Sequence, residues 1–479
     1  MRFAPQLLGA ALAVLTVASA AAQDFQAGVA RADITPANPI RLAGYASRTK
    51  PSESVDLRVF AKALALRDEA GATTLIVTAD TIGIPRWFND ELAARIEKEL
   101  KIPRERFLFA CSHSHSTPVV DGALTDMYGL NEAEAAEVKS YTRMFLQKSF
   151  EAASDAVKAL APARLSFGRG EAFFAGNRRQ FGPKGVGFGI NPNGPVDNDV
   201  PVLRVDGTNG VLKAVLFGYA CHCTTPGATY EVSGDWAGYA QANLEQAYPG
   251  ATALFITGCG ADANPNPRNS MLFARAHGLQ LAGTVARVLS EPELPGRPGA
   301  KPLKPDDGVS RNLKDQLRPV LGPIRAAFDR ADLPLEKTPG RDYYEAKLKE
   351  SAPATQRYAK RHLEMLERGE KFMTSYAAPL QVLRFGDAFT LIAISGETCV
   401  DYSLRLHREL PDERLWNAGY CNDVFAYVPS MRILTEGGYE ADFNLIYYGF
   451  PTRFAPAVED TLVRKVLELV RKTAPAASH

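Results

Sequence analysis

The sequence predicts an α/β fold, with mixed β-sheets sandwiched between layers of α-helices in a single large domain. Apolar runs with strand-like patterns alternate with long segments of helical periodicity, and no repeat or low-complexity linker divides the chain. Hydrophobic residues make up 46% of the 479 positions, and the mean hydropathy is -0.16. This composition is typical of a globular protein with a large core.

The first 22 residues have the pattern of a secretory signal peptide. Arg2 supplies the positive start, residues 7–17 form an apolar segment too short to span a membrane, and residues 18–22 offer a small-residue cleavage site. We therefore predict an exported protein, periplasmic or secreted, whose mature domain covers residues 23–479. No later apolar run is long enough for a transmembrane helix.

Strand and helix patterns follow one another through the first half. Residues 56–66 alternate with period two and residues 73–79 form a β-branched run, so both predict strands. Helical periodicity covers residues 89–101 and 133–160. Residues 202–205 and 211–219 predict a hairpin, because a loop rich in Gly, Asp and Asn separates them.

The second half continues the alternation. We predict a helix over 236–248 with Asp235 as its cap, a strand over 252–257, strands over 380–385 and 389–394, and a helix from Thr398. The spacing of apolar residues from Val458 to Val470 predicts a closing helix. Residues 291–345 are rich in Pro, Lys and Asp, which indicates a surface excursion with one short helix over 323–331.

The charge balance and the cysteines narrow the possible functions. Lys and Arg total 55 against 54 Asp and Glu, which argues against a nucleic-acid partner or an anionic membrane surface. Cys221 and Cys223 flank His222, but adjacent residues of a strand point to opposite faces and chelate one ion poorly. We expect the six cysteines to be mainly small buried thiols. The sequence does not indicate an oligomeric state.

Two histidine sites follow apolar strands. The run 107–111 leads into His113 and His115, which would face the same way on a strand, and His222 follows the strand 211–219. A single buried histidine is more often a hydrogen-bonded core residue. Two such sites in a chain with only seven histidines instead favour a metal or acid/base site.

Glu397 follows a third buried strand. A carboxylate there needs a partner to offset its lost hydration, and a cation would provide one. Two imidazoles and a carboxylate make a catalytic zinc set that leaves a position for water. The alternative is that Glu397 is an acid at the start of the following helix, where it favours the helix dipole.

These residues and their surroundings resemble the neutral/alkaline non-lysosomal ceramidases, in a short bacterial form without the C-terminal immunoglobulin-like domain. The resemblance runs in order over nearly the whole mature chain. The matching segments are residues 28–36, 44–45, 112–116, 177–178, 222, 233–235, 260–265, 396–397, 426–429 and 438–440.

The resemblance implies an enzyme that hydrolyses the N-acyl amide bond of ceramide or a related N-acylated lipid with water activated by Zn²⁺. The implied zinc ligands are His113, His222, Glu397 and Tyr427. The implied residues at the reacting centre are His115, Arg178 and Tyr439. Arg178 and Tyr439 would stabilise the oxyanion, and His115 would transfer a proton to the leaving amine.

One position departs from the family pattern. Ala263 stands where these ceramidases typically carry a serine, which excludes a serine acyl-enzyme at that position but leaves metal-activated water untouched. Two alternatives follow: a zinc amidase or esterase acting on a non-sphingolipid acylated amine, or a non-catalytic lipid-binding relative. In each enzymatic case the partner is a small molecule or lipid with an N-acyl group.

Overall fold

A nine-stranded mixed β-sheet forms the larger half of the computed structural model, which describes residues 25–290 and 317–475. The predicted signal segment, residues 1–22, lies outside the described residues. The strands of this sheet are β1 (Phe25–Asp33), β2 (Phe60–Asp68), β3 (Thr73–Ala79), β4 (Phe107–Cys111), β5 (Ala161–Glu171), β6 (Asp199–Gly207), β7 (Leu212–Tyr219), β8 (Thr252–Thr257) and β9 (Arg318–Pro319).

The order across the larger sheet is β8-β7-β6-β5-β1-β2-β3-β4, with β9 beside β5. Most neighbours are antiparallel, including the predicted hairpin of β6 and β7. Two pairs are parallel, β3 with β4 and β7 with β8. A parallel pair needs a crossover connection, and a helix supplies it in both cases.

A smaller sheet of four strands packs against the larger one. Its order is β10-β11-β12-β13, and only the last pair is parallel. The strands are β10 (Ile324–Pro334), β11 (Ser375–Phe385), β12 (Phe389–Ile394) and β13 (Leu415–Ala418). Short two-stranded pairings join Ser54–Val55 to Glu231–Val232, Ala175–Asn177 to Ala263–Pro265, Arg179–Gly182 to Gly185–Phe188, and Glu397–Thr398 to Tyr427–Val428.

Ten α-helices accompany the sheets in the described part of the chain. They are α1 (Arg86–Leu100), α2 (Glu132–Lys158), α3 (Asp235–Ala247), α4 (Met271–Leu289), α5 (Arg341–Leu348), α6 (Pro353–Glu367), α7 (Val400–Glu409), α8 (Met431–Glu436), α9 (Asn444–Tyr448) and α10 (Val458–Lys472). A 3₁₀ turn covers Arg104–Arg106 and a π-helical turn covers Tyr439–Phe443.

Strand periodicity sorts the apolar side chains into layers. In β2, Ala63 and Ala65 pack in the cluster that contains residues of α1 and α2, whereas Leu64 packs in the cluster between the two sheets. On the smaller sheet, Ile392 faces the cluster built with α7 and α10, and Leu391 faces the larger sheet. The layers therefore run helix, sheet, sheet, helix, which confirms the predicted fold class.

The segment predicted as a helix over 323–331 is a strand. Residues Ile324–Pro334 pair antiparallel with β11 along their whole length, from Ile324 opposite Phe385 to Pro334 opposite Ser375. Local propensity for a helix is a weak prior, and here the pairing with a strand about fifty residues away overrides it. The predicted surface excursion is thus wrong over residues 324–334, which supply a strand of the second sheet. Its first part, residues 291–316, lies outside the described residues.

Asp235 begins α3 rather than capping it. Gly234 is the N-cap residue, and Asp235 has a φ of +55°. Its buried carboxylate accepts hydrogen bonds from the backbone N–H of Thr225 at 2.7 Å and of Trp236 at 2.6 Å. Asp235 therefore ties the loop after His222 to the start of α3.

We expect Phe109→Ala to destabilise the protein by about 3–5 kcal/mol, because it would open a cavity in a close-packed cluster. Phe109 is fully buried in β4, with its ring centroid 5.8 Å from that of Phe88 and 6.2 Å from that of Phe145. Urea unfolding followed by circular dichroism measures the change. The control is Phe173→Ala, because Phe173 is 66% exposed and should change stability by less than about 0.5 kcal/mol. Equal losses in the two variants would contradict the packing described above.

Candidate active site

A short parallel pairing brings the two histidine loops together. Ser114, after β4, forms a parallel bridge with Cys223, after β7, and the His115 N–H donates to the Cys223 carbonyl at 3.0 Å. Residues preceding paired positions in a parallel bridge lie side by side. His113 and His222 accordingly meet with ring centroids 4.8 Å apart.

A turn, rather than a strand, makes His113 and His115 converge. The strand β4 ends at Cys111, and His113 follows in the left-handed region with a φ of +58°. The Nε2 atoms of His113 and His115 lie 3.1 Å apart. The two imidazoles thus converge, but the alternation of a strand does not cause it.

A second parallel pairing sets Glu397 beside Tyr427. The two residues are direct partners in the register of Glu397–Thr398 with Tyr427–Val428. Glu397 Oε2 lies 3.0 Å from His113 Nε2 and 3.2 Å from His222 Nε2, and the Tyr427 hydroxyl lies 3.1 Å from His222 Nε2. Glu397 does not start a helix, because α7 begins only at Val400. The four predicted ligands therefore form one cluster.

Backbone carbonyls fix the tautomers of the two central histidines. His113 Nδ1 lies 2.6 Å from the carbonyl of Ile82, and His222 Nδ1 lies 3.0 Å from the carbonyl of Gly260. A carbonyl can only accept, so each Nδ1 carries the proton and donates it. When the rings are neutral, each Nε2 therefore presents an electron pair to the centre of the cluster.

The Glu397 carboxylate lacks a hydrogen bond on the side that faces the two histidines. Glu397 Oε2 is buried and has no hydrogen-bond partner in the structure, although two Nε2 electron pairs face it. Such an arrangement repels unless a cation lies between the atoms. Ligands bound tetrahedrally at about 2.0–2.1 Å from zinc lie about 3.3 Å apart, close to the separations seen here. The donor set thus fits a small divalent metal.

A second grouping of donors overlaps the first. The ring nitrogens of His113, His115 and His222 lie within 4.8 Å of one another and could also hold a metal ion. His115 Nδ1 lies 3.2 Å from the carbonyl of Gly44, so its Nε2 faces His113 Nε2. His113 and His222 belong to both groupings, so they are central to any metal site here.

Burial and neighbouring charges hold these groups in the forms that bind metals. Burial by itself would raise the pKa of Glu397, but His113 and His222 lower it well below its usual value. Burial lowers the pKa of His222 to about 4, and the charge of Arg178 acts in the same direction. Near neutral pH the Glu397 carboxylate is therefore ionised and the His222 imidazole is neutral.

A cavity of about 450 Å³, here called the reaction cavity, opens onto the cluster. Four of the predicted site residues line it: His115, Arg178, Tyr427 and Tyr439. Arg178 Nη2 donates to the Tyr427 hydroxyl at 3.0 Å, and the rings of Tyr427 and Tyr439 have centroids 5.3 Å apart. All seven predicted site residues thus surround one centre.

Two further residues support the site and escaped the sequence reasoning. Glu440 accepts a hydrogen bond from Arg178 Nε at 2.8 Å and also binds Arg179 Nη1 at 2.5 Å. Tyr448 donates to Glu397 Oε1. Glu440 directly follows Tyr439 in a matching segment, so its position could have identified it as a site residue. Nothing in the sequence around Tyr448 indicates its partner.

The cysteines and Ala263 take no part in the cluster. All six cysteines are buried and free, and none belongs to the grouping of donors found in the described residues. Burial raises the pKa of Cys221 and Cys223 well above the usual value, which keeps both as thiols. Ala263 is buried, and its carbonyl accepts from the His222 N–H at 3.1 Å.

Two solved structures are similar to this chain: a crystal structure of neutral ceramidase from Pseudomonas aeruginosa and a ceramidase complexed with C2. Each aligns with a TM-score of 0.68 and 18% sequence identity, covering 95% of this chain and 76% of the other chain. At this identity the likeness shows the fold. A search of curated proteins gives no match.

The sequence also matches a family profile described as neutral/alkaline non-lysosomal ceramidase, N-terminal. The match covers residues 25–267, just over half of the 479 positions, and includes His113, His115, Arg178 and His222. The chain therefore belongs to the neutral/alkaline non-lysosomal ceramidase family.

Proposed function

We propose that this protein is a zinc-dependent amidohydrolase that cleaves the N-acyl amide bond of ceramide or a related N-acylated lipid. The observation that carries the proposal is the buried Glu397 carboxylate facing the bare Nε2 atoms of His113 and His222 beside the reaction cavity. Membership of the ceramidase family supports a hydrolase that acts on amide bonds.

The proposed zinc ligands are His113, His222, Glu397 and Tyr427. Nitrogen and oxygen donors of this kind suit zinc, which when bound polarises a carbonyl and lowers the pKa of water toward neutrality. The carbonyls of Ile82 and Gly260 orient the imidazoles, as second partners of metal-binding histidines usually do. Tyr448 holds the other carboxylate oxygen of Glu397.

Arg178 and Tyr439 are the proposed donors that stabilise negative charge on the acyl oxygen. Both line the reaction cavity, and both are donors. Burial alone would lower the pKa of Arg178, but Tyr427 and Glu440 raise it well above its usual value, so the guanidinium stays charged. Glu440 also holds Arg178 in place through its Nε.

His115 is the proposed proton carrier. Burial lowers its pKa well below the usual value, and His113 and His222 add to the effect, so its resting form is neutral. A neutral imidazole on the cavity wall can take a proton from the attacking water and give it to the leaving amine.

Apolar side chains beside the reaction cavity support a lipid substrate. Phe188 lines the cavity, and Phe181, Phe188 and Ile190 are each more than half exposed on or next to one hairpin. Such a cluster can contact an acyl chain. None of the helices in residues 25–290 and 317–475 is long and apolar enough to cross a membrane. We infer export from residues 1–22, ahead of a catalytic domain over 23–479.

A purely lipid-binding role explains fewer of these features. A binding protein has no need of charged and phenolic donors beside a metal-binding cluster. Arg178 and Tyr439 together with His115 thus favour an enzyme.

We expect His113→Ala to reduce bound zinc below a tenth of the wild-type content of about one ion per chain, because the site loses a central ligand. Release of fatty acid from a detergent-dispersed N-acyl sphingosine should fall to background. Elemental analysis and fatty-acid release measure the two effects. His407→Ala is the control, since His407 lies on α7 away from the cluster. Full zinc content and full turnover in His113→Ala would refute the proposal.

We expect Tyr439→Phe to lower kcat by about 10²–10³-fold with little change in KM, because it removes one donor to the oxyanion. Steady-state kinetics on the same substrate measure this. Tyr343→Phe serves as the control, since Tyr343 is 40% exposed on α5. A change confined to KM would instead assign Tyr439 to substrate binding.

We expect Gly44→Ala to lower kcat/KM at least tenfold while zinc content is kept. A Cβ at Gly44 would lie 2.2 Å from His115 Nδ1, so the imidazole must move. Gly71→Ala is the matched control: Gly44 and Gly71 have φ values of +92° and +77°, but no atom lies within 4 Å of a Cβ at Gly71. Comparable activity of the two variants would argue against a catalytic role for His115.

A further inference from the structure

A second cavity of about 350 Å³ adjoins the reaction cavity. The two cavities share Ala46, Met127 and Tyr447 in their walls. Three arginines line the second cavity, which we call the arginine cavity: Arg41, Arg48 and Arg357. No Asp or Glu among the described residues lines either cavity.

Arg48 is a buried cation without a carboxylate. It is 2% exposed, and its guanidinium donates to backbone carbonyls, including those of Ala43 and of His115 at 2.6 Å. No described carboxylate lies within ion-pair distance of it. Burial lowers the pKa of Arg48 to about 10. The backbone carbonyls satisfy the hydrogen-bond donors of the guanidinium, but no negative charge among the described residues neutralises it.

Arg357 and Arg41 add charge that is only partly balanced. Arg357 donates to the carbonyls of Asp126 at 3.2 Å and Met127 at 2.7 Å, while the Asp126 carboxylate binds Arg361. Arg41 pairs with Glu134 at 3.2 Å. Arg41 is 6% exposed, yet its buried Nε has no hydrogen-bond partner. The three arginines that line this cavity therefore have one direct carboxylate partner among the described residues, Glu134, because the Asp126 carboxylate binds Arg361.

The start of α6 contributes a further positive end. Ala352, Pro353, Ala354 and Thr355 line the arginine cavity, and the helix has no side-chain cap and no acidic residue in its first turn. The N-terminus of a helix carries a partial positive charge that favours anions. At 15 residues, α6 is long enough to have such a dipole. Helix end and guanidinium groups thus act on the same space.

We propose that the arginine cavity binds an anionic group, a carboxylate or a phosphate, that is carried by the N-acylated substrate whose amide occupies the reaction cavity. The placement of the amide rests on the proposed function, whereas the anion site rests on the arginines and the start of α6. A neutral head group would leave these charges unbalanced. The preferred substrate class is therefore an N-acylated amine with an anionic substituent.

A matched pair of ligands tests the inference: N-lauroylglycine, which is anionic, and N-lauroylethanolamine, which is neutral and of similar size. We expect calorimetry to show at least tenfold tighter binding of the acid, both to the purified mature protein as isolated and after chelation of its metal. Arg357→Gln should reduce this preference below about threefold, and Arg357→Lys, which keeps the charge, should retain most of it.

Arg143→Gln is the control for loss of one positive charge, since Arg143 is 54% exposed and pairs with Glu91 on the surface. It should leave the preference intact. Equal binding of the two ligands by the wild-type protein, or an unchanged preference in Arg357→Gln, would overturn the inference. Binding of inorganic phosphate that depends on Arg357, without any preference for the acid, would also overturn it by assigning the site to a free anion.

Turnover of the same two compounds separates the inference from the proposed function. Tighter, Arg357-dependent binding of the acid with no hydrolysis of either compound would uphold the anion site and refute the hydrolase. Hydrolysis of both compounds with equal kcat/KM and equal affinity would uphold the hydrolase and refute the anion site.

Discussion

A buried carboxylate facing two imidazole electron pairs is the constraint on which the rest of the site depends. Glu397 is removed from water, and the tautomers of His113 and His222 prevent either Nε2 from donating to it. An unpaired buried charge costs several kcal/mol in a protein interior. The cluster therefore favours a cation at its centre, and the surrounding carbonyls and phenols hold its side chains in position.

The stacking of two sheets sets the dimensions of this cluster. The larger sheet contributes His113 and His222 from the ends of β4 and β7, whereas the smaller sheet contributes Glu397 after β12 and Tyr427 after β13. One short parallel pairing fixes each pair of donors. Close packing between the sheets then fixes the distance between the pairs, because interiors are too dense to adjust by more than small amounts.

Charge is distributed differently in the two cavities. In the reaction cavity Arg178 is paired with Glu440, which holds its guanidinium in the position required by the proposed stabilisation of developing charge. In the arginine cavity Arg48 has no carboxylate, and the helix end adds to the excess. Paired charge suits a group that must keep one position during a reaction. The unbalanced charge of Arg48 instead favours the binding of an anion.

The sequence by itself determined the local elements and the identity of the donors. The strands Thr73–Ala79 and Thr252–Thr257 have the predicted bounds, because apolar periodicity and flanking turns depend only on residues that are close in the sequence. His113, His222 and Glu397 were recognisable as polar groups that follow apolar strands. The resemblance to the family, carried by motifs in the same order, indicated Tyr427 as a further ligand and His115, Arg178 and Tyr439 as residues of the reacting centre.

Only the tertiary structure decided what depends on pairing between distant segments. The strand Ile324–Pro334 exists because of β11, and the left-handed turn at His113, rather than a strand, brings its imidazole to that of His115. Tyr448 meets Glu397, and Arg41, Arg48 and Arg357 share a cavity, although their neighbours in sequence give no sign of it. Local patterns encode elements, whereas contacts between distant residues arise only when sheets and helices pack.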